Sequence, residues 1–186
     1  MATITHSTND VPPKKSFEYW HDLVCGAFVS LDCSSPKRDT FTGSISSQPI
    51  SSLYLSTMTS DRMDLVRSPR RIATAREDCF LVALEARTRS ALEQDGRQGI
   101  LHTGDFALVD STRPYTVLFQ DDFEHHVLRI PRRELIQRTG PLCRDWLDDQ
   151  RVERSRKISL DPATNTVNDA RHSCTACSGS SSGYVD

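Results

Sequence analysis

Apolar positions fall into distinct regimes along the chain. Residues 1–14 are polar and carry Pro12-Pro13, which predicts a disordered arm. Phe17, Trp20, Val24, Phe28 and Leu31 then recur at helical spacing, so an amphipathic helix is expected, with Ser16 as its cap and Glu18 near the positive end of its dipole. From about residue 40 to 130 the pattern changes to short apolar runs divided by turn residues. The predicted strands are Thr40–Ser46, Ser52–Thr59, Leu65–Ser68, Arg71–Arg76, Phe80–Ala86, Ser90–Gln94, Gln98–Leu101, Phe106–Asp110, Tyr115–Phe119 and His125–Ile130. Pro49, Pro69, Asp95-Gly96, Thr103-Gly104 and Arg113-Pro114 separate them. Many short strands at close intervals predict a mainly β fold with flanking helices, an antiparallel barrel or sandwich. Phe80-Leu81-Val82-Ala83-Leu84 is apolar at both parities, as expected of a strand whose outer face is covered by a helix. After Ile130, Pro131 starts a helix that Gly140-Pro141 ends, and Leu142, Trp146 and Leu147 predict a second one. Beyond Gln150 the chain is charged, and the segment 166–186 reads as a disordered tail.

Composition narrows the class. The chain has 186 residues, enough for one ordinary domain with appendages. Lys+Arg number 23 against 25 Asp+Glu, a near-balance that argues against coating nucleic acid or an anionic membrane. No apolar run reaches membrane-spanning length and the N-terminus lacks a secretory h-region, so a cytoplasmic protein without membrane attachment is expected. Six cysteines lie at uneven spacing, which reads as reduced thiols. Cys174-x-x-Cys177, with His172 upstream, is half a zinc site and reads as incidental.

Catalytic signatures are weak. No nucleophile elbow, phosphate loop, dinucleotide glycine fingerprint or zinc-protease helix occurs. His125 and His126 are adjacent and on a strand would point to opposite faces, so they cannot chelate one ion together. Arg62, Arg67, Arg70, Arg71 and Arg76 read as a solvated, partly paired surface, and Arg151, Arg154, Arg156 and Lys157 as a charged connector. In Asp110-Ser111-Thr112-Arg113-Pro114-Tyr115 the polar side chains hydrogen-bond a turn, with Arg113 pairing Asp95 or Asp110.

The stretch from Gly96 to Ala107 resembles the second sequence motif of the cupin barrels. His102 stands where that motif has its turn proline, and Ala107 stands at the metal-ligand position. The resemblance therefore implies the barrel without its metal, and no cofactor is expected.

A larger ordered set carries a second resemblance. Phe17-Glu18-Tyr19-Trp20 is followed by Phe41-x-Gly43 and then Val66-Arg67-Ser68-Pro69. Gln94-Asp95-Gly96-Arg97 leads to Gly104-Asp105-Phe106-Ala107-Leu108-Val109-Asp110 and on through Arg113-Pro114-Tyr115, before Leu128-Arg129-Ile130-Pro131-Arg132. In order and spacing these resemble the N-terminal regulatory domain of AraC/XylS-type bacterial transcription regulators, the AraC-binding-like subgroup, over about residues 17–140. The resemblance implies a cupin-like antiparallel β-barrel at 15–140 that senses a small effector and is not an enzyme. It also implies helices that dimerise the protein, here a partial helical linker at 141–165, and a further domain with two helix-turn-helix units. That domain has no counterpart in the sequence, so no direct nucleic-acid binding is expected. A truncated or frame-shifted product accounts for both its absence and the tail. The inward-facing candidates for effector contact are Tyr54, Ala107, Val109, Tyr115 and Val127, with His125 as a polar contact. A homodimer, or a heterodimer with a full-length regulator, is the expected assembly. Two rival readings stand beside this one: a fragment that pairs with a full-length regulator through residues 131–157 and blocks it, and a barrel enzyme.

Overall fold

The computed structural model describes residues 3–75 and 78–139, with two further short strands at Ile158–Leu160 and Val167–Asp169. In chain order the elements are β1 (Ile4–Ser7), α1 (Ser16–Ala27), β2 (Asp32–Ser34), β3 (Gly43–Ile50), β4 (Leu53–Ser60), β5 (Asp64–Arg67) and α2 (Pro69–Ala73). They continue as β6 (Cys79–Arg87), β7 (Arg89–Gln94), β8 (Arg97–His102), β9 (Phe106–Asp110), β10 (Tyr115–Phe119), β11 (Phe123–Pro131) and α3 (Arg132–Thr139). All pairings are antiparallel. A six-stranded sheet runs β1-β3-β4-β11-β6-β9, and a five-stranded sheet runs β2-β5-β10-β7-β8. The expectation of a mainly β, antiparallel fold with flanking helices holds, but the strands form two facing sheets that are not closed into a barrel.

The inner faces share one core. Ile45, Met58, Leu81, Val109 and Val127 of the larger sheet join Leu65, Tyr115, Val117 and Phe119 of the smaller. Phe119 of β10 stacks on Phe123 of β11 with centroids 3.6 Å apart, which fixes the sheets against each other at that end. Helix α1 covers one open edge. Its stripe of Phe17, Trp20 and Val24 is buried, and the buried Trp20 Nε1–H donates to Met63 Sδ at 3.3 Å. Phe28 and Leu31 are buried as well, although the helix ends at Ala27.

Several expectations need correction. Ser16 is not the cap of α1: it is the first helical residue, and its hydroxyl donates to the Pro13 carbonyl at 2.8 Å. The segment 1–14 is not simply an arm, because Ile4–Ser7 pairs with β3 and 3-10 turns follow at Thr8–Asp10 and Pro13–Lys15. The predicted strand Arg71–Arg76 is not a strand over its described residues, 71–75. Ser68 in extended conformation and Pro69 at the first helical position turn Pro69–Ala73 into a short helix. Strands β1 and β2 had no local signal. Where a helical linker and a tail were expected, Ile158–Leu160 pairs with Val167–Asp169; the remainder of 140–186, with the predicted second helix and the Cys174-x-x-Cys177 motif, lies outside the described residues. The start of the predicted pairing segment 131–157 is α3, which packs against β6 and β11 on their outer face. There Arg132 lies over the buried Phe80 ring, 4.8 Å from its centroid, so the outer face of the apolar run in β6 is covered at Phe80, while Val82 and Leu84 stay half-buried. Among the described residues no helix is long and apolar enough to cross a membrane.

Candidate functional site

The turn residues singled out in the sequence hold the two sheets together. Asp95 and Gly96 both take positive φ, 55° and 72°, in the two-residue turn between β7 and β8. From β7, Gln94 reaches across to the other sheet: its Nε2 donates to the Asp110 carbonyl at 2.9 Å, and its Oε1 accepts from the Asp110 N–H at 3.0 Å. Arg113 pairs with Asp95 at 2.9 Å and approaches Asp110 at 3.8 Å. The Asp110 carboxylate also accepts from Thr112 N–H and Oγ1, and Arg132 Nη1 reaches both its oxygens at 2.9 Å. Exposed Pro114 leads directly into β10, and exposed Arg97 opens β8. Gly104, with φ of 91°, donates to the Glu85 carbonyl at 2.8 Å, and the Glu85 N–H donates to the Asp105 carbonyl at 2.9 Å. The Gly104-Asp105 turn thus sets the position of Glu85.

Arg67 is not part of a solvated surface: it is 1% exposed, in contrast to Arg62 and Arg70. Its guanidinium donates to the carbonyls of Ser111, Ser30 and Arg71 and ties two loops to helix α2. Beside it, burial pushes the Tyr115 phenol above its ordinary range, with the Arg67 charge opposing.

The predicted effector residues lie as follows. His125, Val127 and Val109 are buried, and Ala107 is half-buried. Register puts His125 opposite Met58 and Glu85, Val127 opposite Ser56 and Ala83, Ala107 opposite Ala83, and Val109 opposite Leu81. All four therefore share the inner face of the larger sheet. Tyr115 is buried on the inner face of the smaller sheet, opposite Arg67 and Gln94. Tyr54 has the same parity as Val127 but is 48% exposed near the start of β4, at the rim rather than in the interior. His126 faces outward, with its Nδ1 3.0 Å from Thr57 Oγ1, as alternation requires.

Between the sheets the two edges differ. Helix α1 fills the β3 side so tightly that a Cβ on Gly43 would meet the Trp20 ring at 2.8 Å. On the β9/β8 side the inward residues are apolar and half-buried: Ala83, Ala107, Leu92 and Gly99. Among the described residues a Cβ on Gly99 would meet nothing within 4 Å, although β6 and the strand Ile158–Leu160 both approach β8. Three polar side chains that sequence reasoning passed over or left apart lie buried in this interior. Glu85 is fully buried, and neither carboxylate oxygen has a hydrogen bond. His125 Nε2 lies 3.0 Å from Glu85 Oε2 but without hydrogen-bond alignment. Ser90 Oγ, on β7 opposite Phe119, is buried and equally unmatched. The available signal was a lone acid at inward parity inside an apolar strand.

Two surface hollows lie elsewhere. One, of about 410 Å³, lies beside α1; Arg71 pairs there with Asp32 at 2.7 Å, and Arg38 stacks on Phe17. Burial pushes the Cys33 thiol on its wall up to about 12, so it stays protonated at neutral pH. The other, of about 280 Å³, borders Thr42 and Asp61. Among the described residues no three His, Cys, Asp or Glu side chains gather as a metal site would require.

The family described as AraC-binding-like domain matches residues 20–167. An "Uncharacterized protein in nit 5'region" of Bacillus sp. (strain OxB-1) is 39% identical over 136 residues, 73% of this chain and 52% of that protein. The transcriptional activator NphR of Rhodococcus sp. is 26% identical over 138 residues, 74% of this chain and 41% of that protein. The chain thus spans about half the length of the curated relatives it matches. The crystal structure of the AraC-like transcriptional activator CuxR superposes with a TM-score of 0.64 at 20% identity, covering 75% of this chain and 51% of that one, which speaks to the fold. With the two-sheet fold, the Gln94–Asp110 staple and a family match over most of its length, the chain belongs to the AraC-binding-like domain family.

Proposed function

We propose that this chain is the effector-sensing part of an AraC-type transcription regulator, and that it works by binding a small molecule rather than by turnover. The observation that supports this reading best is the group of buried polar side chains Glu85, His125 and Ser90, none with an aligned hydrogen bond at the atoms concerned, in an interior whose β9/β8 side carries Ala83, Ala107, Leu92 and Gly99. A slot for the ligand would run along that side, from Gly99 to these groups. Sites for small molecules combine an apolar wall with a few convergent polar groups in this way. Occupancy would tie β8, an edge strand, to the rest of the inner face, and a regulator can read out such a change in order.

A thermal-shift screen of aromatic acids, amines and nitriles tests the reading, because a ligand that binds only the folded state raises Tm. The screen is repeated on Gly99→Leu, which fills the open space and has no positive φ to strain. A ligand should raise the wild-type Tm by several degrees and leave Gly99→Leu unmoved, while the variant alone melts no lower than wild type. No stabilisation by any compound, or equal stabilisation of the variant, would contradict a sensing slot here.

A further inference from the structure

We infer that Glu85 and Ser90 form the recognition site for the head group of the ligand, and that this head group is a hydrogen-bond donor, with a protonated amine favoured over an amide. The inference rests on the sensing role of the slot and names the chemistry that the slot selects. A carboxylate only accepts hydrogen bonds, and leaving it buried without donors costs more than leaving almost any other side chain unmatched. Glu85 is 0% exposed and stands at ion-pair distance from His125 Nε2, 3.0 Å, but neither of its oxygens accepts an aligned hydrogen bond, so its acceptor capacity is not filled. Ser90 Oγ, 2% exposed, is unmatched on the facing sheet. Its cross-strand neighbour Phe119 meets the His125 ring edge-on at 4.9 Å, so Ser90 and Glu85 belong to the same end of the interior. Phe119 and Phe123, stacked on each other, meet the His125 ring at steep angles and make the surroundings of the two polar groups aromatic. An anionic head would face Glu85 as a like charge.

The probes are benzylamine, benzamide and benzoate, which share one ring and differ at the head. Binding is followed by thermal shift and calorimetry on the wild type, Glu85→Gln and Ser90→Ala. Benzylamine should bind the wild type most tightly, benzamide less so and benzoate not at all. Glu85→Gln should weaken benzylamine roughly tenfold or more and narrow its lead over benzamide, as loss of a hydrogen bond to a charged group implies. Should Glu85→Gln fail to fold, Ser90→Ala carries the test: it shortens a side chain without adding a polar group, and should weaken benzylamine and benzamide several-fold. Benzoate binding as well as benzylamine, or variants that retain wild-type affinity, would overturn the donor assignment while leaving the sensing role intact. No binding of the three probes alongside hits in the broader screen would overturn it too. No binding in either would count against the sensing role itself.

Discussion

Asp61 shows how single polar residues hold the smaller features of this fold. Burial pushes its carboxyl up, but the Lys37 ammonium at 2.7 Å and the Thr42 N–H and hydroxyl outweigh it and hold the group below the usual carboxylate range. A carboxyl depressed in the folded state contributes stability that is fully present above its unfolded value and is lost as pH falls through the folded one. The Tm advantage of wild type over Asp61→Asn should therefore be constant from about pH 6 to 8 and shrink below about pH 4. Melting curves across that range check the sign. Gly43 is a steric counterpart. Its missing side chain admits the Trp20 ring, which is itself fully buried and has nowhere to move. Gly43→Ala should cost about 1–3 kcal/mol in urea unfolding, the range for overpacking a core, whereas Gly99→Leu, in open space, should cost nothing measurable.

At the scale of elements, the staple between β7 and β9 carries the contact between the sheets at the end away from Phe119. Gln94→Ala removes both of its hydrogen bonds to the Asp110 backbone and leaves an N–H and a carbonyl to find water. A loss of about 1–3 kcal/mol is expected, with faster hydrogen exchange in β8 and β9 than in β4. Strands were legible in the sequence where the alternation was local: Leu53–Ser60, Tyr115–Phe119 and Phe123–Pro131 all lie close to their predicted bounds. The turn logic of Asp95-Gly96 and the pairing of Arg113 were legible too, because both depend on neighbours in sequence. Ile4–Ser7 was not, since only its partner β3 makes it a strand. Arg71–Arg76 misled because a short run with Ile72, Ala73 and Ala75 after Pro69 was read as a strand, whereas Ser68-Pro69 starts a helix. Glu85 escaped notice because its meaning depends on register with His125, which no local pattern reveals. Arg67 read as surface for a related reason: two of its three carbonyl partners, Ser30 and Ser111, are distant in sequence, and the third depends on helix α2.

For the molecule as a whole, the asymmetry between its two open edges is the organising fact. One edge is sealed by α1 through Trp20 against Gly43, whereas among the described residues the β9/β8 side carries Ala107 and Gly99 facing inward, with buried polar groups nearby. A ligand is expected to enter on this second side and not in the hollow beside α1. Two-dimensional amide NMR of the protein, titrated with the best compound from the screen, tests this most directly. Shifts concentrated at Ala83–Glu85, Ser90–Leu92, Gly99–Leu101 and Ala107–Val109 are the predicted result; shifts concentrated at Phe17, His21, Asp32 and Cys33, with the inter-sheet amides unmoved, would contradict it.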